Sequence, residues 1–203
     1  MIITVAGFKG GVAKTTTAIH LAAYLQQFAP TILIDGDPNR SATTWARHEQ
    51  LPFKVIDERS AARHVRQYEH VVIDTKARPE EEDLKALVEG CDLLIIPSKP
   101  DTLSLDALRL TVNTLRAIKA DNYRVLLTIV PPRPSHDGED AHAALVEAGY
   151  PVLDTMIRRY KAFEDAVTEG VPVYALAGSR NAQEGWNDYL AVGKEIYHDD
   201  KAQ

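Results

Sequence analysis

The sequence is poor in the residues from which metal clusters and covalent scaffolds are made. Cys91 is the only cysteine in 203 residues, which excludes an intramolecular disulfide, a cysteine-held iron–sulfur cluster and a thiolate zinc site. As a lone residue ahead of an apolar run, it is expected to fill space at the start of a buried strand. Positive charge is in deficit. Against 29 acidic residues stand 23 lysines and arginines, a formal charge of −6; a surface coated for gripping nucleic acid is therefore excluded, though a local basic patch is not. No apolar stretch approaches the roughly eighteen residues that a membrane-spanning helix needs. Nor do the histidines cluster: His20, His48, His64, His70, His136, His142 and His198 have no ligand spacing with Cys91 or one another, and no chemistry is assigned to them. Met1 leads straight into an apolar run without a secretory-signal pattern, so a cytoplasmic location is expected. Repeats, low-complexity tracts and interdomain linkers are missing too, and one domain over residues 1–203 is the natural division.

What the chain has is regular alternation. Apolar, β-branched runs fall at residues 2–6, 31–35, 53–56, 71–74, 93–97 and 125–130, and more weakly at 152–156 and 171–175. Being apolar throughout, they read as parallel strands covered on both faces. Helical spacing lies between them: Ile19, Leu21, Ala22, Ala23 and Leu25 make one apolar face, and Leu105, Leu108, Val112, Leu115 and Ile118 another. The expected fold is α/β, a doubly wound, mostly parallel sheet with helices on both faces.

Residues 8–17 read Phe-Lys-Gly-Gly-Val-Ala-Lys-Thr-Thr-Thr, directly after the first apolar run. A strand, a glycine-rich turn and a helix start gather backbone N–H groups and a positive dipole end around a polyphosphate. In such a loop Lys9, Gly10, Gly11, Val12, Ala13, Lys14, Thr15 and Thr16 would bind the nucleotide, with Lys14 at the β- and γ-phosphates and Thr15 on Mg²⁺. The bland alternative is a glycine turn with solvated lysines. The ordinary pattern G-x-x-x-x-G-K-[ST] fails here, because its glycines fall on Phe8 and Ala13. What matches is K-G-G-x-x-K-[ST], headed by Lys9, and on this motif the chain resembles the deviant Walker A ATPases of the ParA/MinD family. The P-loop fold, ATP and Mg²⁺ are what that resemblance implies.

Further motifs follow in the order the family resemblance requires. Asp35 and Asp37, spaced by one residue at a strand end before Pro38, resemble the D-x-D-P segment; by analogy Asp37 orients the attacking water and couples to Mg²⁺, with Asp35 in support. Ordinary turn chemistry, with Ser41 capping the next helix, is the alternative. Asp74 ends the run 71–74 in Walker B fashion and is assigned to Mg²⁺ with Thr15 and Asp37. The continuation Lys76-Ala77-Arg78-Pro79 departs from the family, adding positive charge beside the γ-phosphate. The loop 131–138, rich in proline, follows a strand end where α/β sheets bind ligands. By analogy its Pro132 and Arg133 lie on one side of the adenine, and Val171 and Pro172 of a G-x-P-V segment on the other. Arg158, Arg159, Lys161 and Arg180 are the candidate contacts to DNA phosphates, with a solvated face as the alternative.

The resemblance implies a slow, switch-type ATPase of the small ParA kind. Lys9, Lys14 and Asp37 carry its chemistry. ATP brings two protomers face to face, with Lys9 reaching the partner's phosphates; the homodimer binds nonspecific DNA, and a ParB-like or cargo adaptor stimulates hydrolysis. The cargo would be a plasmid, a chromosome or a protein body such as the carboxysome, and the protein would be nucleoid-associated. No N-terminal operator-reading helix-turn-helix is expected, since the chain starts at its first strand. The iron protein of nitrogenase, which shares the loop, is excluded by the cysteine count. A MinD-like membrane cycle is the alternative; it would use a terminal amphipathic helix, but the tail here is mixed and ends acidic. Trp186, Leu190 and Ile196 are expected to pack that tail onto the sheet, and no stable membrane binding is expected. A metabolic synthetase on the same fold is a third reading, for which no second substrate pocket is visible.

Overall fold

The computed structural model describes residues 1–7, 9–77 and 81–201. Phe8, the Arg78-Pro79 part of the departure after Asp74 and the last two residues of the tail lie outside them, as do the side chains beyond Tyr197, including His198.

Six parallel strands form one sheet: β1 (Ile2–Gly7), β2 (Thr31–Gly36), β3 (Lys54–Asp57), β4 (His70–Ala77), β5 (Leu93–Ser98) and β6 (Tyr123–Leu127), in the order β3-β2-β4-β1-β5-β6. Successive residues of each strand point to opposite faces; in β1, β2 and β5 both faces are buried, hence their apolar runs, while the edge strand β3 exposes Lys54. Ile3, Val5, Leu33, Val72 and Ile95 join one core. It is covered by α1 (Lys14–Leu25), α2 (Ser41–Trp45), α7 (Ala162–Glu169) and α8 (Arg180–Lys201). Ala6, Leu94 and Ile96 face the other core, beneath α4 (Glu81–Glu89), α5 (Thr102–Ala117) and α6 (Asp137–Glu147). On that same face Ile32, Ile34, Ile56 and Val71 pack with Ala61 of the short α3 (Ala61–His64) and with Val65.

The chain leaves β1 for α1 on one face, and β4 and β5 for α4 and α5 on the other. Their C-terminal ends therefore diverge around a crevice beside β1, the usual ligand position in a doubly wound sheet.

Several elements differ from their sequence signals. The first helix has no single apolar face: residues 17–25 are buried throughout, because α1 lies between the sheet and α8. Accordingly α8 packs Trp186, Tyr189, Val192 and Ile196 against α1 and not onto the sheet, with Leu190 only partly buried. The approach is close at Gly193, where a Cβ would sit 2.5 Å from the Tyr24 ring. Strand β6 ends at Leu127, earlier than the run 125–130, because Ile129 turns to φ 54°.

Residues 152–156 form no strand, only an isolated bridge between Val152 and Val125. Leu153 and Ile157 donate to β6 carbonyls, but the N–H groups of Asp154 and Thr155 go to the Glu195 carboxylate and that of Arg158 to Asp188, both on α8. Residues 171–175 likewise contain a 3-10 turn, Val173–Ala175, in which Ala175 N–H bonds back to the Pro172 carbonyl.

Candidate nucleotide-binding site

The loop between β1 and α1 is held in an uncommon backbone shape. Gly11 has φ 72° and Ala13, the residue before α1, has φ 60°. Ala13 stands where the ordinary pattern places glycine, and a side chain in this left-handed region costs about 1–2 kcal/mol. Such strain is commonest where function requires a shape. A Cβ on Gly10 or Gly11 would meet nothing within 4 Å, so that side of the loop opens on space. No side chain caps α1, which leaves its first N–H groups available to an anion.

Below the loop lie three carboxylates. Register places Asp35 of β2 beside Asp74 of β4, and Val5 of β1 on the other side of Asp74. Thr15 Oγ1 donates to Asp74 Oδ2 at 2.7 Å, while Asp74 Oδ1 is buried with no hydrogen-bond partner. Burial pushes the Asp74 carboxyl up to about 7; the Thr15 hydrogen bond and Lys14 oppose this, and Asp35 and Asp37 add to it. An orphaned buried acceptor costs about 1–3 kcal/mol, and a hard cation or its bound water is the kind of group that removes the penalty. The residues present thus fit Mg²⁺.

Lys14 is 8% exposed. Burial lowers the pKa of its ammonium, and the charges of Asp74 and Asp37 resist that fall. Asp37 is itself nearly buried, and its Oδ1 accepts the Asn39 N–H at 2.9 Å. Asp35 is fully committed to architecture: its oxygens take the N–H of Asp37 and the N–H and hydroxyl of Thr43. Thr43, and not Ser41, is thus the residue tied to that carboxylate at the start of α2, and Arg40 precedes the helix without a side-chain cap.

Lys9 points elsewhere. Its Nζ donates to Asp101 Oδ1 at 3.2 Å and to Ser104 Oγ at 3.0 Å, at the N-terminus of α5. Asp101 caps that helix by accepting the Ser104 N–H at 2.9 Å, and Lys99 lies 3.4 Å from its other oxygen. Burial alone would raise the Asp101 carboxyl, but the hydrogen bonds of Ser104, Lys9 and Lys99 bring it down to about 2.

Beside Gly11, Ala13 and Thr16 opens a cleft of about 280 Å³, walled by Ile129, Ile157, Arg158, Arg159, Tyr160 and Phe163. Strain recurs in this wall, since the β-branched Ile129 sits at φ 54°. The residues assigned to the adenine lie elsewhere. Val171 and Pro172 are buried in the core, where Trp45 Nε1 donates to the Val171 carbonyl and His20 Nε2 accepts the Val173 N–H. Pro132 and Arg133 are exposed and not among the walls; Arg133 pairs with Glu139. A larger cavity of about 450 Å³ on the α4 face, lined by Ile34, Ala61, Ile73 and Leu87, contains no residue of the loop.

The residues assigned to DNA are dispersed in role. Arg158 grips Asp188 through Nε and a terminal nitrogen at 2.6 Å, reaches Glu184 at 3.2 Å and stacks over Tyr160. The Asp188 hydrogen bonds raise its pKa further above the ordinary value. Lys161 pairs with Asp165. Only Arg159 and Arg180 are exposed without an ion-pair partner among the described residues. Sequence reasoning missed Asp101, Ser104 and, in the cleft wall, Ile157, Tyr160 and Phe163, and it gave Arg158 and Arg159 to DNA and not to the cleft. The run Asp101-Thr-Leu-Ser104 ahead of an apolar helical face was a legible cap signal.

His20 has no exposed surface, donates from Nδ1 to the Thr16 carbonyl at 2.7 Å and stacks on Tyr189. Burial lowers its pKa to about 4, the Thr16 carbonyl opposing. It is a neutral structural residue joining α1 to α8 and to the turn at Val173.

Comparison with known proteins agrees with this geometry. The family model described as the CobQ/CobB/MinD/ParA nucleotide binding domain matches residues 3–173. A maintenance of carboxysome distribution protein A from Gloeobacter kilaueensis is 37% identical over 205 aligned residues, covering 98% of this chain and 94% of that one. Its namesake from Halothiobacillus neapolitanus is 28% identical, over 93% and 94% of the two chains. Among solved structures, the ATP complex of a point variant of Cyanothece McdA superposes with a TM-score of 0.77 at 17% identity, covering 96% and 95%.

Proposed function

The chain belongs to the CobQ/CobB/MinD/ParA nucleotide-binding family and is a P-loop ATPase of the ParA/MinD class, and we propose that it positions a cargo, the carboxysome, by an ATP-timed cycle of dimerisation. The choice of cargo is supported by likeness to carboxysome distribution proteins along nearly the whole chain.

The observation that carries the cycle is the separation of the two loop lysines. Lys14 lies inside, between the carboxylates, and serves this chain's own nucleotide; Lys9 lies at the rim and serves the partner's phosphates. Thr15 and Asp74 would hold Mg²⁺, which when bound would offset the negative charge of the phosphates, and Asp37 would orient the water. Loss of the γ-phosphate removes what Lys9 holds, so the pair loosens. The cleft beside Thr16, and not Val171 and Pro172, receives the base.

The dimer binds DNA without sequence preference, weakly and with steep loss as salt rises, and an adaptor stimulates hydrolysis. Arg159 and Arg180 are the available contacts, doubled in a dimer, joined by Lys161, whose pair with Asp165 is exposed and weak; Arg158 is held by Asp188 and Glu184. A membrane cycle is less favoured, because the apolar side of α8 is packed on α1. Among the described residues no helix is long and apolar enough to cross a membrane.

The test uses Asp37→Ala, expected to bind ATP and accumulate as a dimer in light scattering. With ATP, but not ADP, it shifts unrelated duplexes in a gel and leaves anionic liposomes unbound. Pelleting with liposomes and no shift on any DNA would overturn the DNA-based cycle.

A further inference from the structure

We propose that Thr128 is a positioning residue for the phosphate loop, whose hydroxyl holds the Val12 carbonyl and so keeps the peptide between Val12 and Ala13 turned with its N–H toward the phosphates. The inference rests on the reading of this loop as the nucleotide's cradle and names what holds its shape. Thr128 has no exposed surface and lies just beyond β6. Its Oγ1 is 3.1 Å from the Val12 carbonyl and 3.2 Å from that of Ser98. A hydroxyl has one proton to give, and the Ser98 carbonyl already accepts the Thr128 N–H at 2.8 Å. The buried Val12 has no such second donor: among the described residues, only the Thr128 hydroxyl bonds to its carbonyl. A trans peptide is planar, with C=O and N–H on opposite sides. Because the Val12 carbonyl is drawn toward the ends of β5 and β6, the Ala13 N–H is directed away from them, and it too has no acceptor among the described residues.

What the contact resists is the strain at Ala13. Turning this one peptide over would carry Ala13 from φ 60° into the roomy extended region and aim the Val12 carbonyl oxygen where a phosphate must sit. Alanine favours that turn, whereas glycine would be indifferent to it. With the hydroxyl gone, the turned form should outweigh the competent one by a factor of about ten, and apparent affinity falls with the competent fraction.

Two substitutions separate the hydroxyl from the packing. Thr128→Val keeps the shape and removes the donor, while Thr128→Ser keeps the donor and opens a small void. Calorimetry with ATP and Mg²⁺ is expected to give a Kd about tenfold higher for Thr128→Val but within about twofold of wild type for Thr128→Ser. Affinity that merely followed stability would not divide the two variants by their hydroxyl. In the Ala13→Gly background, where the left-handed backbone carries no penalty, the loss caused by Thr128→Val is expected to shrink to about twofold. An unchanged Kd in Thr128→Val, an equal loss in Thr128→Ser, or a loss undiminished by Ala13→Gly overturns the proposal. Wild type that binds no ATP defeats the reading of the loop itself, and that result is distinct from the other three.

Discussion

The inner and outer ends of the phosphate loop are built on opposite plans. At the inner end Ala13, Lys14 and Thr15 start a helix whose residues 17–25 are all buried, backed by α8 and tied through His20 and Thr17 to Tyr189. At the outer end Gly10 and Gly11 border open space and Lys9 is held by side chains of a different helix, 92 residues onward. A strained loop needs one over-determined end to keep its shape, whereas the end that must let go of one partner and take another can carry only a weak, reversible contact.

Removing Lys14 should give the largest effect. Lys14→Ala leaves phosphate charge unpaired at a buried position, and ATP affinity measured by calorimetry should fall at least about 100-fold. Lys9→Ala should change that affinity by no more than about threefold while abolishing the dimer. Equal losses from the two substitutions would erase the distinction between inner and outer ends.

The backing of the inner end has a pH signature. The folded pKa of His20 lies below its unfolded value, at about 4 instead of 6.5. As pH falls below 6.5 the unfolded chain therefore takes up a proton that the folded chain refuses. The stabilisation is complete above about 6.5 and is lost as pH falls toward 4, a swing on the order of 3 kcal/mol. His20→Gln should remove this component from the pH dependence of urea midpoints. A profile unchanged by the substitution would mean that the imidazole titrates freely.

A smaller effect belongs to Gly193. A methyl group there would overlap the Tyr24 ring, so Gly193→Ala should lower stability by about 1–3 kcal/mol through overpacking between α8 and α1. Affinity for ATP should fall with it if α8 truly braces the loop. Loss of stability with no change in ATP binding would limit the brace to folding.

Much of the inner end was legible in the sequence, and the reason is locality. Strands buried on both faces announce themselves as apolar runs, and Asp35 and Asp74 directly follow the apolar runs of β2 and β4, with Asp37 just beyond β2. The outer end was not, since what Lys9 touches is fixed only when β5 delivers Asp101 beside β1. The C-terminal third misled for a related reason. Arg158 reads as a surface cation until Asp188, 30 residues later, takes both its guanidinium and its N–H. Residues 152–156 read as a strand because their composition is right; the carboxylate that claims their N–H groups sits on Glu195. Val171 and Pro172 belong to a segment whose place is set by Trp45 and His20, residues of α2 and α1.

That diversion of N–H groups has a consequence for the sheet as a whole. An open β6 edge would present a row of donors and acceptors to any passing strand, the commonest route to unwanted edge-to-edge association. Here the segment beyond β6 gives Leu153 and Ile157 to the sheet and surrenders Asp154, Thr155 and Arg158 to α8. A further strand finds no continuous row to copy. At this edge, a protein read as pairing through its loop face is denied a rival way of sticking to itself.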